Sequence, residues 1–372
     1  SMNLLTTTFK FLNLAGGISV IGSLLAMAFL LINHDGYLAT SGEKLRRLLK
    51  TSAVIWVVGA FGTILFTLAQ ILGTTFSDAL DTTVIRSFIT QISLGKYLAF
   101  QAIVATAALI FSFFARKIES LILLFALSIA GLVAPVFESH AASSGSHSLV
   151  IGSLVIHVIA ISLWVGGVIA IAFLSPLDRP VAVPRFSQLS LWAAIAVVAS
   201  GAVNACARLN FVDAWNSRYA FLVIAKIVAT IALLYIGFLH RKNLAKKTTI
   251  NWLGFARLIS FEAAIMVVTV VMGTWLSTSS SPDRPGNQDF NAALSIVGVS
   301  TPPAPTWSRI FLSYEPNALM IGILILMVAL YVKGVIVLTK RGDKWPVGRT
   351  VAFALGITAI DFATSGGLGV YA

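Results

Sequence analysis

Three of the chain's five histidines, His140, His147 and His157, crowd into the stretch ESHAASSGSHSLVIGSLVIHVIAISLWVGG. The stretch opens polar and ends in a long apolar run. Imidazole, thiolate and thioether are the ligands that suit Cu(I), and the chain supplies five His, one Cys and six Met. Read as one helix, residues 147 to 157 place the second and third histidines roughly 80° and ~15 Å apart, too far to share one ion. The spacing therefore predicts two stations. An outer one uses His140 and His147 with Glu138 beside them, and leaves room for Cu(II). A deeper one uses His157 with Met266, Met272 or Cys206 from other helices. Each residue also has a plainer role open to it. Loop histidines are often only solvated, and a histidine in an apolar span often bonds a neighbouring helix. Cysteine and methionine serve as small or adaptable core fillers.

The elements that must position these residues are membrane spans. The chain is 58% hydrophobic and 11% charged, against about 25% charged in a soluble domain. Apolar runs long enough to cross a ~30 Å hydrocarbon core recur along it. They predict an all-α, polytopic transmembrane bundle of about ten spans: 11–33, 52–74, 96–115, 118–136, 149–175, 187–209, 218–240, 252–277, 315–339 and 349–371. Clusters such as HDGYLATSGEKLRRLLK and SPLDRPVAVPR read as the breaks between them.

The net charge of +12 does not point to nucleic acid. Seventeen Lys and Arg fall in one alternate set of loops and seven in the other. The positive-inside bias puts the seventeen in the cytoplasm, and the N-terminus and the His140–His147 loop outside. The expected location is the cytoplasmic membrane, with the lipid bilayer and a copper ion as partners. Residues 1–277 read as an eight-helix domain, 278–312 as an external linker, and 313–372 as two further helices. Ser1 before Met2 reads as a cloning addition, and the stop at GGLGVYA as the sign of a longer parent chain. With Cys206 the single cysteine, an intrachain disulfide is ruled out.

Lys226 and Glu262 are the clearest charges inside spans, and neighbouring helices predict a structural ion pair between them. Trp164-Val165-Gly166-Gly167 predicts close helix packing. The sequence holds no phosphate-binding loop, HExxH, GxSxG or CxxC pattern, so no enzyme chemistry is expected.

The run SHAASSGSHSLVIGSLVIHVIAISLWVGGVIAI resembles the signature of the copper resistance protein D (CopD) family. RFSQLSLWAAIAVVASGAVNA, RYAFLVIAKIVATIALLYIGFLHR and ARLISFEAAIMVVTVVMG resemble that family's following helices, over roughly residues 10–280. The resemblance implies copper movement across the cytoplasmic membrane, usually import. VGVSTPPAPTWSRIFLSYEPNALM and LYVKGVIVLTKRGDKWPVGRTVAFALG resemble the opening of the CtaG family of cytochrome c oxidase assembly proteins. The two families occur fused in actinobacteria, and this sequence is similar to such a fusion. The resemblance implies an external copper chaperone or oxidase subunits as partners. The His- and Met-rich motif of the second family would follow Ala372.

Two other readings stay open. A b-type cytochrome needs axial histidines at matching depth on different helices, and His34 with His240 would be the pair. A scaffold in a respiratory membrane complex would need none of the histidines.

Overall fold

The computed structural model of the chain describes residues 2–32, 42–73, 80–138, 147–209, 215–245, 252–278 and 306–312, scattered positions from 322 to 339, and 346–364. Every element among them is helical. In hydrocarbon each backbone N–H and C=O must find its partner within the segment, and these apolar runs comply as helices. The chain divides into two compact units.

The larger unit holds residues 1–139 and 156–284. α1 covers Met2–Leu25 and runs into a π-helical turn, Ala26–Leu30. α2 is Glu43–Leu72, α3 Thr82–Gln91, α4 Ser93–Phe114, and α5 Ile118–Val133 with a 3-10 turn to Phe137. α6 is His147–Ala172, its first residues falling in the smaller unit, followed by α7 Arg179–Arg208, α8 Arg218–Ala245 and α9 Trp252–Thr278. All but α3 are long and apolar enough to span a membrane, eight in number among the described residues. They correspond one to one with the first eight expected runs. The chain is a multi-pass helical membrane bundle.

α1 is the hub. It packs along α2 and also meets α5 and α9, and 72% of its spanning window is buried, against 17% for α8. The helix faces most exposed on α7 and α8 carry Trp192, Ile195, Phe221 and Ile231, the apolar side chains that lipid tolerates. Inside, a polar stitch ties three helices together. Asn13 Nδ2 donates to Gln101 Oε1 at 2.7 Å, and Gln101 Nε2 donates to the Gly131 carbonyl at 3.1 Å.

Two boundaries differ from the sequence expectation for one reason. The basic clusters read as loops are the first turns of helices. Arg46, in the first turns of α2, is 4% exposed. Its Nη2 donates to the Ser112 and Phe113 carbonyls at 3.3 and 3.0 Å, at the C-terminal end of α4. Arg185, in the second turn of α7, donates to the Leu30 and Leu31 carbonyls at 3.2 and 3.4 Å. A guanidinium satisfies the open carbonyls of a helix end and its partial negative charge together. Pro180 sits at the start of α7, where its missing N–H costs nothing.

α3 was not foreseen. Its apolar positions are too few for a span. Asp81 caps it by accepting from the Thr83 N–H at 2.7 Å, and Phe88 anchors it in the core.

Among the described residues the smaller unit, residues 140–155 and 285–372, includes α10 Trp307–Leu312 and α11 Val347–Thr364, with helical positions between 322 and 339. Phe311 stacks on Phe362, and the Tyr331 ring lies 4.0 Å from that of Phe353. The Tyr331 hydroxyl donates to Thr350 at 3.0 Å. α11 occupies the place of the tenth expected span. Most of the ninth lies outside the described residues.

Candidate functional site

Helices α6 to α9 carry two polar centres set apart along the bundle. The first is built on His157, buried nearly three turns into α6. Its Nδ1 lies 2.9 Å from Ser200 Oγ on α7. The Ser200 hydroxyl approaches the Ala196 carbonyl at 2.5 Å. A hydroxyl has one proton to give, and here it goes to the carbonyl. Ser200 Oγ is therefore the acceptor and His157 Nδ1 carries the hydrogen. With Nδ1 protonated, the lone pair of a neutral imidazole is on Nε2, the arrangement seen where histidine binds metals and a partner fixes its tautomer. Asn204, one turn along α7, donates to the Ser200 carbonyl at 2.9 Å.

Lys226 of α8 lies within electrostatic range of this imidazole. Its Nζ stands beside Gly273 of α9, 3.3 Å from where a Cβ would be. Gly273 is eleven residues beyond Glu262, ~16 Å along the helix. The expected Lys226–Glu262 ion pair is therefore not formed. Helical rise on the sequence puts the two residues roughly 9 Å apart in depth, a gap a long lysine side chain covers in part. The lysine side chain instead runs toward the His157 level.

The carboxylate of Glu262 meets a different partner. Its Oε2 lies 3.0 Å from His240 Nε2, with both side chains largely buried. The contact is a close one between an imidazole nitrogen and a carboxylate oxygen. This second centre lines a cavity of about 290 Å³ between α6, α7, α8 and α9. Trp164, Phe186, Phe238 and Ile259 make its apolar wall, and Ser187 and Ser190 add hydroxyls.

Close packing is confirmed at the glycine pair, ~13.5 Å along α6 from His157 and at the level of the cavity. A Cβ on Gly22 of α1 would run into the Gly166 carbonyl of α6, and one on Gly166 would lie 2.5 Å from the Ile18 carbonyl. Only glycine on both helices lets the backbones cross this closely.

The other expected ligands are dispersed. Met266 is buried in the main apolar core. Met272 is half-buried on α9, and Cys206 is exposed on α7. Glu138 closes the turn after α5, its N–H bonded to the Pro135 carbonyl at 3.3 Å. His147 is the first residue of α6. Its side chain, His140 and His34 lie outside the described residues. α6 runs unbroken from residue 147, so His147 and His157 cannot share one ion. Among the described residues no three of His, Cys, Asp and Glu gather in one place. His240, the histidine considered for a haem with His34, is engaged with Glu262.

Comparison with family models gives three matches. The copper resistance protein D-like N-terminal domain covers residues 1–149, copper resistance protein D covers 180–276, and the cytochrome c oxidase caa3 assembly factor, Caa3_CtaG, covers 329–372. The chain is a CopD–CtaG fusion. Its function is accordingly copper-related and membrane-borne. Comparison with curated proteins and with solved structures gives no match. Within the CopD part, Ser200, Lys226, His240 and Glu262 all fall in the second match, while His157 lies between the first two. The run on which the resemblance was first read is matched only as far as residue 149.

Sequence reasoning missed the His240–Glu262 pair. Its signal was present, since Glu262 is an acidic residue in an apolar run and needs a partner. The nearest histidine at the end of the preceding helix was not weighed against the lysine.

Proposed function

We propose that this chain is a carrier of copper in the cytoplasmic membrane, taking the ion from the external side and moving it inward or handing it to oxidase assembly. It makes and breaks no covalent bond in its cargo. The observation that carries the reading is His157, buried inside the bundle with its Nδ1 2.9 Å from Ser200 Oγ, so that donation to Ser200 leaves Nε2 as a copper ligand. The family matches support the cargo.

The basic residues at the starts of α2 and α7 support the orientation, because they would face the cytoplasm. The His157 level is then the outer half. His140 and His147, with Glu138, would collect copper above it, supplied by an external chaperone. Cys206 and Met272, near the same end, would supply sulfur as the ion enters. Met266 lies deeper.

The test is an anaerobic Cu(I) competition titration of the purified chain against its His157→Ala variant. Tight binding that weakens in the variant supports the reading. Absence of tight binding in both overturns it.

A further inference from the structure

A cation held in a dry bundle needs a counter-charge, because the cost of desolvating it is repaid only by a close opposite charge. Among the described residues Glu262 is the only buried carboxylate. It stands ~16 Å along α9 from Gly273, beside which the Lys226 Nζ lies. The two polar centres therefore differ: one has an amine near its imidazole, the other a carboxylate.

We propose that His240 and Glu262 form a second cation site, in which a Cu(I) ion comes to rest after passing His157. The inference rests on the copper reading above and adds to it the residues and the place of the inner station. Three features fit. The His240 nitrogen and Glu262 oxygen are 3.0 Å apart. Two ligands on one ion, each with a bond of ~2.0–2.2 Å at a tetrahedral angle, stand ~3.4 Å apart, so a shift of a few tenths of an ångström admits the ion. The imidazole is a ligand that suits copper. The carboxylate supplies one negative charge, so a monovalent ion leaves the centre neutral, whereas a divalent ion would leave it charged inside the membrane. Last, the cavity of about 290 Å³ has room for the ion and several waters at ~30 Å³ each. Ser187 and Ser190 on its wall offer further oxygen.

The experiment counts Cu(I) bound to the full chain under anaerobic conditions by chelator competition. Wild type, His157→Ala, His240→Ala and Glu262→Gln are compared. Two ions are expected in wild type beyond any held by the outer His140–His147 station. One should be lost in His157→Ala, and the other lost, or weakened at least tenfold, in His240→Ala and in Glu262→Gln. Retention of the His157 ion in the latter two reports that they are folded. If copper binds and responds to His157→Ala but not to His240→Ala or Glu262→Gln, the inner site is wrong and the copper reading stands. If wild type binds no copper, both fall. An infrared difference spectrum of wild-type protein, before and after Cu(I) loading, needs no variant to fold. A shift of a carboxylate stretch on loading is expected, and its absence overturns the proposal.

Discussion

Ser200 holds His157 by accepting from it. The two side chains meet at 2.9 Å, and the serine hydroxyl is committed to the Ala196 carbonyl at 2.5 Å. The tautomer of His157 is thus set by a residue that touches no ligand itself. Ser200→Ala removes the acceptor and lets the ring turn or shift its proton to Nε2. Loss of such a partner typically costs 10–100-fold in metal affinity. Cu(I) affinity at His157 should fall by about tenfold in this variant, read by chelator competition. Ser200→Thr, which keeps the hydroxyl, should restore most of it.

Arg46 and Arg185 close the ends of other helices rather than their own. Replacing Arg46 with Ala opens the Ser112 and Phe113 carbonyls in a buried place. Bonds from a charged donor are worth about 1.5–3 kcal/mol. Arg46→Ala should lower the midpoint of thermal unfolding in detergent by several degrees. Arg46→Lys should recover only part, because a shorter side chain with one nitrogen cannot reach both carbonyls and also keep the contact that Nη1 makes with Glu43 Oε1 at 3.4 Å.

The Gly22–Gly166 crossing gives a sharp contrast between glycines. Gly22→Ala would push a methyl into the Gly166 backbone and should cost about 1–3 kcal/mol. Gly356→Ala in α11 meets nothing within 4 Å and should be neutral, or stabilising by up to ~1 kcal/mol, as alanine is the better helix former. Thermal unfolding of the two variants side by side checks this. Equal behaviour would mean that α1 and α6 do not cross at this pair.

Asn13 and Gln101 stitch α1 to α4, and Gln101 extends the tie to α5. Removing one amide leaves the other buried without its bond. A double-mutant cycle of Asn13→Ala and Gln101→Leu should therefore show the second substitution costing less than the first, with a coupling of about 0.5–1.5 kcal/mol. Additive losses would show that the two side chains act independently.

The eight spans of the larger unit were legible because a bilayer imposes a length and a polarity that no loop satisfies. Their ends were not. The eight residues EKLRRLLK look like a cytoplasmic loop, yet Arg46 is buried there against another helix's carbonyls, a contact that no local pattern announces. The site was half legible. His157 stood out as an ionisable residue in an apolar run. Its plainer role, a bond to a neighbouring helix, is real and is the means by which the ring is oriented. Glu262 stood out for the same reason, and its partner was misassigned. Helical rise gives the height of a Cα, but a lysine side chain can run several ångströms either way along the axis. α3 escaped notice because ten residues with one anchoring face at Phe88 resemble a loop in any search tuned to spans.

Between the two polar centres each of the four helices contributes an apolar residue to one core: Ala160 on α6, Val197 on α7, Leu233 on α8 and Met266 on α9. This layer is a dry dielectric between two polar levels, and in an energised membrane the voltage falls across such layers rather than across wet clefts. A charge moving between the centres works with or against that voltage, at about 2.3 kcal/mol for each 100 mV crossed. On the orientation and inner site proposed above, an inside-negative potential would draw a cuprous ion through the layer toward Glu262, and each passage would register as a current.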